Sequence, residues 1–92
     1  MNEEMKKLIQ KYLNNEIDIE SFSYDFPSLV YDWKHDDVPE EIVDAVGDIS
    51  EACCNYEPND DIRAEDEMYL NEKQVRKITE EKYNLILNLG KK

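Results

Sequence analysis

Carboxylates are the residues of this chain with chemistry to offer. Glu41, Asp44, Asp48, Glu51 and Asn55 recur at i, i+3, i+7, i+10 and i+14, a spacing that sets all five on one face of a helix. The segment that follows, EPNDDIRAEDEMYL over residues 57–70, adds six carboxylates and a single base, Arg63. Crowded like charge costs self-repulsion, and it is expected where a surface must meet a strongly basic partner. A solvated outer face is the plainer reading of such a ridge, but two features speak against it. Glu51 and Glu57 lie near the carboxyl end of the helix, where each exposed acid opposes the dipole by roughly 0.3–1 kcal/mol. The ridge also runs directly into the acidic segment, so local stability rules are broken where charge accumulates, as at a functional surface.

Charge is distributed unevenly along the 92 residues. Residues 1–17 are balanced, residues 18–70 carry seventeen carboxylates against Lys34 and Arg63, and residues 71–92 carry six bases against three acids, for a net charge of −12. Nucleic acid and anionic membrane are therefore poor partners. Lysines of the first and last helices can neutralise some of the acidic middle, yet eleven bases cannot balance twenty-three acids, and exposed pairs contribute only about 0–1 kcal/mol each. Arg63 is placed to clamp two carboxylates such as Glu57 and Asp61 with its planar fork. Tyr56, an aromatic residue beside charge, is a candidate anchor for a partner.

Other chemistries find no apparatus. No Ser-His-Asp or Cys-His spacing and no Gly-rich phosphate loop occurs, and the carboxylates are too crowded and solvated to assign an acid and a base, so an enzyme is not expected. The adjacent Cys53 and Cys54 suit neither an unstrained disulfide nor a paired metal motif, and read as reduced thiols. His35 has no second imidazole to join it. EPNDD and AEDE could attract a hard cation, but the segment lacks the turn glycine and closing carboxylate of an EF-hand loop and holds Arg63 among the would-be ligands. No cofactor and no metal is expected.

Four helices must position these groups. Only two glycines and three prolines, with Glu, Lys, Leu and Ile prominent, favour an all-α chain with one modest core, residues 1–92 forming a single domain. Met5, Leu8, Ile9, Tyr12 and Leu13 give the first helix an apolar face over about residues 2–14. Asp18 caps a second, with Ile19, Phe22, Phe26, Leu29, Val30 and Trp33 inward, and Pro27 inside it predicts a kink or a division. The third begins near Pro39 and turns Ile42, Ala45, Val46, Ile49, Ala52, Cys53 and Tyr56 inward. The fourth follows an Asn71/Gln74 capping box and buries Val75, Ile78, Leu85, Ile86 and Leu89 up to Gly90, with Lys82 interrupting the stripe. The expected architecture is a small antiparallel four-helix bundle with a long acidic loop between helices 3 and 4. No apolar run approaches the roughly 18 residues of a membrane span and MNEEMKKLIQ lacks a secretory core, so a cytoplasmic location is expected.

From Tyr56 onward, YEPNDDIRAEDEMYLNEKQVRKI resembles the carboxyl-terminal half of the colicin D immunity protein family, which includes immunity proteins of contact-dependent inhibition toxins. The matching features are an aromatic residue before Glu57-Pro58, acids, Arg63, a further acidic stretch and a last helix that opens with Val75-Arg76. Upstream, the short first helix, Glu20-Ser21-Phe22 and the third helix started by Pro39 fall in the family's order, so the likeness spans nearly the whole chain. The resemblance implies a helical protein that blocks the basic nuclease domain of a cognate toxin, a ribonuclease acting on transfer RNA, with its acidic surface standing in for the substrate. It implies contacts through Glu57 and Asp61, with Asp60 and the helix-three ridge beside them.

Taken together, the expected contact set is Asp44, Asp48, Glu51, Asn55, Tyr56, Glu57, Asp60, Asp61, Glu65 and Asp66, in a one-to-one complex formed by a monomer. The competing reading is an acidic nucleic-acid mimic or regulatory protein whose target is a host nucleic-acid-binding protein. Spaced carboxylates suit both.

Overall fold

A computed structural model describes residues 2–89, so the predicted helix end at Gly90 lies outside the described residues. Five helices occur in the order α1 (Glu3–Leu13), α2 (Ile19–Asp32), α3 (Glu40–Cys54), α4 (Asp60–Arg63) and α5 (Glu72–Leu89), with no strand among the described residues. The chain is all-α. Helix α3 packs on α2 and α5, and α1 packs on the same two neighbours.

Side chains close the helix ends much as the sequence implies. Asn2 and Asp18 accept the amides of Met5 and Ser21 at 2.9 Å, each relieving an otherwise orphaned donor of a first turn. At α5 the Asn71 amide donates to Gln74 Oε1 and the Gln74 amide to Asn71 Oδ1, both at 2.8 Å, a complete capping box. Helix α2 runs unbroken through Pro27, against the expected division. Interior proline costs about 3 kcal/mol or more. Here fully buried Phe22 and Phe26 lie before it and half-buried Leu29 and Val30 after it, so both halves are anchored on one core. Burial of such side chains contributes roughly 1.5–3 kcal/mol each, enough to hold the two halves in one helix.

The core face of α5 is turned from the predicted stripe. Val75, Thr79, Tyr83 and Ile86 are buried, whereas Leu85 is 43% exposed. Polar groups that look like surface residues in the sequence are satisfied inside. The Thr79 hydroxyl donates to the Val75 carbonyl at 2.8 Å, and Gln10 Nε2 donates to the Tyr83 hydroxyl at 2.9 Å.

Tyr12 organises the corner where α1, α2 and α5 meet. Its ring stacks on Phe22 with centroids 4.4 Å apart, and the Arg76 guanidinium lies 4.5 Å from its centroid. Arg76 also donates to the Tyr12 and Leu13 carbonyls at 3.3 Å and to Asn15 Oδ1 at 2.9 Å, which closes the carboxyl end of α1. Asn15, at φ 63°, takes the left-handed conformation that asparagine tolerates after a helix.

Two buried groups make stability fall in alkali. Burial pushes the Cys53 thiol up to about 12, with Cys54 adding to it. Burial likewise pushes the Tyr12 hydroxyl up to about 12, opposed by Arg76. Both keep their protons in the folded state, whereas the unfolded chain releases them from its ordinary values, near 9.0 for the thiol and 10.0 for the phenol. The unfolded state therefore binds fewer protons between pH 9 and 12, and unfolding becomes easier as pH rises through that window. Urea midpoints are expected to be flat to about pH 8.5 and then to decline, and Cys53→Ala is expected to remove the earliest part of the decline. An unchanged pH profile in that variant would show that the thiol is not held protonated.

Candidate functional site

The acidic segment is built as a closed loop. Leu70 donates its amide to the Asn55 carbonyl at 2.8 Å and the Glu57 amide donates to the Leu70 carbonyl at 2.9 Å, an isolated parallel bridge that returns the chain to the end of α3. Leu70 and Tyr56 at its base pack against the core. Within the loop, Asn59 Oδ1 accepts the Asp61 and Ile62 amides at 2.9 and 3.2 Å and so starts α4, a turn absent from the sequence expectation. Glu57 Oε1 accepts the Asn59 amide at 3.2 Å, and Asp66 Oδ1 accepts the Met68 amide at 2.9 Å.

Arg63 is indeed turned inward, but to other partners than Glu57 and Asp61 carboxylates. Its Nη1 donates to the Glu57 backbone carbonyl at 2.9 Å and its Nη2 to Asp60 Oδ1. One half-buried guanidinium thus ties the start of the loop to α4. Glu57, Asp60 and Asp66 have structural hydrogen bonds as well as charge. Asp61, Glu65 and Glu67 are exposed and have no ion pair or side-chain hydrogen bond among the described residues.

On α3, Asp44, Asp48 and Glu51 are exposed and Asn55 is half-buried. Asp48, Glu51 and Asn55 form one wall of an open groove of about 420 Å³, whose other residues are Ala52, Met68, Leu70, Ile78 and Lys82. Asp44 lies on the same helix outside it. Lys82 Nζ sits 3.1 Å from Asp48 Oδ2, so the residue that interrupts the apolar pattern of α5 meets the acidic ridge. Tyr56 is half-buried at the root of the loop, and its hydroxyl is held above its ordinary value first by burial and then by Glu20, Glu72 and Glu57, with Arg63 opposing. It therefore anchors the loop to the core rather than standing clear of the surface.

Among the described residues three ion pairs form: Lys6 with Glu3, Arg63 with Asp60 and Lys82 with Asp48. Two of the seventeen carboxylates between residues 18 and 70 are thus paired. Arg76, which could have joined them, is spent on the end of α1 instead. The middle of the chain therefore keeps a net negative potential at its surface. No group of three His, Cys, Asp or Glu side chains with the geometry to hold a metal ion occurs among the described residues, and both cysteines are free, Cys53 buried and Cys54 exposed. No helix among them is long and apolar enough to cross a membrane.

Sequence reasoning missed Met68, Leu70, Ile78 and Lys82 as neighbours of the ridge. For the loop residues the apolar run Met68-Tyr69-Leu70 at the end of an otherwise acidic segment was the available signal, of which Leu70 packs against the core while Met68 and Tyr69 stay exposed. No protein-family model, curated protein or solved structure matches the chain.

Proposed function

We propose that this protein is an immunity protein, which binds the basic nuclease domain of a cognate bacterial toxin and covers its active-site cleft with carboxylates in place of the nucleic-acid substrate. The toxin would be a ribonuclease that cleaves transfer RNA, and the complex one-to-one and cytoplasmic. The observation that carries this reading is an acidic loop whose ends are pinned by backbone hydrogen bonds while most of its charge is left unpaired. A decoy for a polyanion needs that combination. Order in the free protein lowers the entropy cost of binding, and unpaired charge steers association. The resemblance of residues 56–78 to the colicin D immunity family supports the same partner. Contacts just before and along α5 support the expected antiparallel arrangement for α5 against α3 and α1: Leu70 meets Asn55 while Lys82 meets Asp48, and Arg76 meets Asn15 while Tyr83 meets Gln10.

The test is binding of the purified chain to the carboxyl-terminal domain of the toxin encoded immediately upstream of it. The expected result is a nanomolar complex that suppresses cleavage of transfer RNA, with an association rate near 10⁸ M⁻¹s⁻¹ at low salt, in the range for steered partners, and a steep fall as salt rises past a Debye length of about 8 Å. Absence of a nanomolar complex would overturn it.

A further inference from the structure

The groove between α3 and α5 has a composition that bulk acidity does not explain. Half of its lining is apolar, from Ala52, Leu70, Ile78 and Met68, the last 61% exposed. The rest includes Asp48, Glu51 and Asn55, one helical turn apart along α3 and its end. A lining that mixes apolar side chains with carboxylates matches a side chain with a long aliphatic stem and a cationic head. The protein supplies one such side chain itself. Lys82 lines the groove and places its ammonium 3.1 Å from Asp48, both groups remaining partly open to solvent at 34% and 48% exposure.

We infer that this groove receives one arginine side chain of the basic partner, and that Lys82 keeps part of its charge compensated in the free protein. The inference rests on the partner reading proposed above. Glu51 has no ion pair among the described residues and is the carboxylate left for the incoming guanidinium, with the side-chain Oδ1 of Asn55, which also lines the groove, as a second acceptor. Arginine fits better than lysine because its planar fork can engage a carboxylate with two parallel hydrogen bonds, and because it is the more weakly hydrated cation in a half-apolar site. Met68 can mould to the stem, being unbranched and polarizable. Lys82 competes for the same negative charge. Its removal therefore strengthens binding, and the gain exceeds what the same change in net charge produces elsewhere.

The experiment titrates the full ¹⁵N-labelled chain with acetyl-Gly-Arg-Gly-amide, using the lysine and glutamine analogues of that peptide as controls. In the unsubstituted protein, amide shifts are expected to concentrate at residues 51–55, 68–70 and 78–82 with the arginine peptide and to be absent with the glutamine peptide. Lys82→Gln is expected to tighten the arginine peptide at least about 3-fold and Glu51→Gln to weaken it at least as much, whereas Lys77→Gln, equal in net charge to Lys82→Gln, changes it less than 1.5-fold. Lys82→Met serves as a second variant should the first lose helical content. Shifts spread evenly over residues 18–70, or equal effects of Lys77→Gln and Lys82→Gln, would overturn the groove, and equal binding of the lysine peptide would overturn the choice of arginine. The same variants separate this inference from the partner reading. A nanomolar toxin complex whose dissociation rate ignores both Glu51→Gln and Met68→Ser removes the groove and leaves the partner, while localised peptide shifts without any toxin complex leave the groove and remove the partner.

Discussion

Asp61→Lys combined with Glu65→Lys is expected to weaken the proposed toxin complex by at least about 100-fold while leaving the circular dichroism spectrum unchanged. Both side chains are exposed and neither accepts a hydrogen bond or forms an ion pair among the described residues, so the fold does not depend on them. The two reversals, each worth two charges, move the net charge from −12 to −8, which leaves the chain acidic overall. Their effect must then come from the loop itself. Close charge pairs across interfaces couple by about 1.5–7 kcal/mol, and reversal adds repulsion to the lost attraction, so a 100-fold loss, about 2.7 kcal/mol, is the lower bound expected. Calorimetric or surface-based binding at fixed salt measures it, and an affinity within 3-fold of the unsubstituted chain would remove the loop from the interface. Reversal of Asp60 would be a poorer probe. Its carboxylate holds Arg63, and a lysine there would disturb the loop as well as the charge.

Phe22→Ala is expected to cost about 3–5 kcal/mol of stability, the range for deleting a fully buried aromatic ring. A domain of this length has a total of only about 5–14 kcal/mol, so the variant would be close to unfolding at 37 °C. Phe22 is fully buried, stacked on Tyr12 and tilted against Phe26 with centroids 5.3 Å apart. Tyr12 supports Arg76 in turn, so the cavity would loosen the closure of α1 against α5 as well as the α1–α2 contact. The Tyr12 hydroxyl lacks a hydrogen-bond partner among the described residues, which leaves this corner little margin. The measurement is the urea midpoint followed by circular dichroism. A loss below about 1.5 kcal/mol would mean that the neighbouring rings collapse into the space.

Much of the helical framework was legible because burial repeats with the helical period. Met5, Ile9 and Tyr12, then Ile19, Phe22 and Phe26, then Ala45, Val46, Ile49, Ala52 and Cys53 are all on the predicted faces and all buried. Two caps were legible too, since Asp18 and the Asn71/Gln74 pair act through side chains three residues from the amide they serve, whereas Asn2, read as the first residue of α1, caps it instead. Helix α5 was read less well. Thr79 and Tyr83 carry hydroxyls, and their burial depends on a carbonyl one turn back and on Gln10 from another helix. Pro27 misled for a similar reason. Its local penalty was visible, whereas the core contacts on both sides of it were not.

By itself the sequence determined an all-α chain, the caps that start α2 and α5, most of its core faces and a middle segment with far more acid than base, because each of these depends on residue type and on spacing within one or two turns. The tertiary structure alone decided how that acidity is displayed. Leu70 returns to Asn55 and Lys82 from α5 reaches Asp48 on α3, pairings between residues fifteen and thirty-four positions apart that no periodicity encodes. The physical reason is that hydrogen bonds and ion pairs depend on distance in space, and only the packing of α3 against α5 brings the acidic ridge, the loop base and the lysine to one groove.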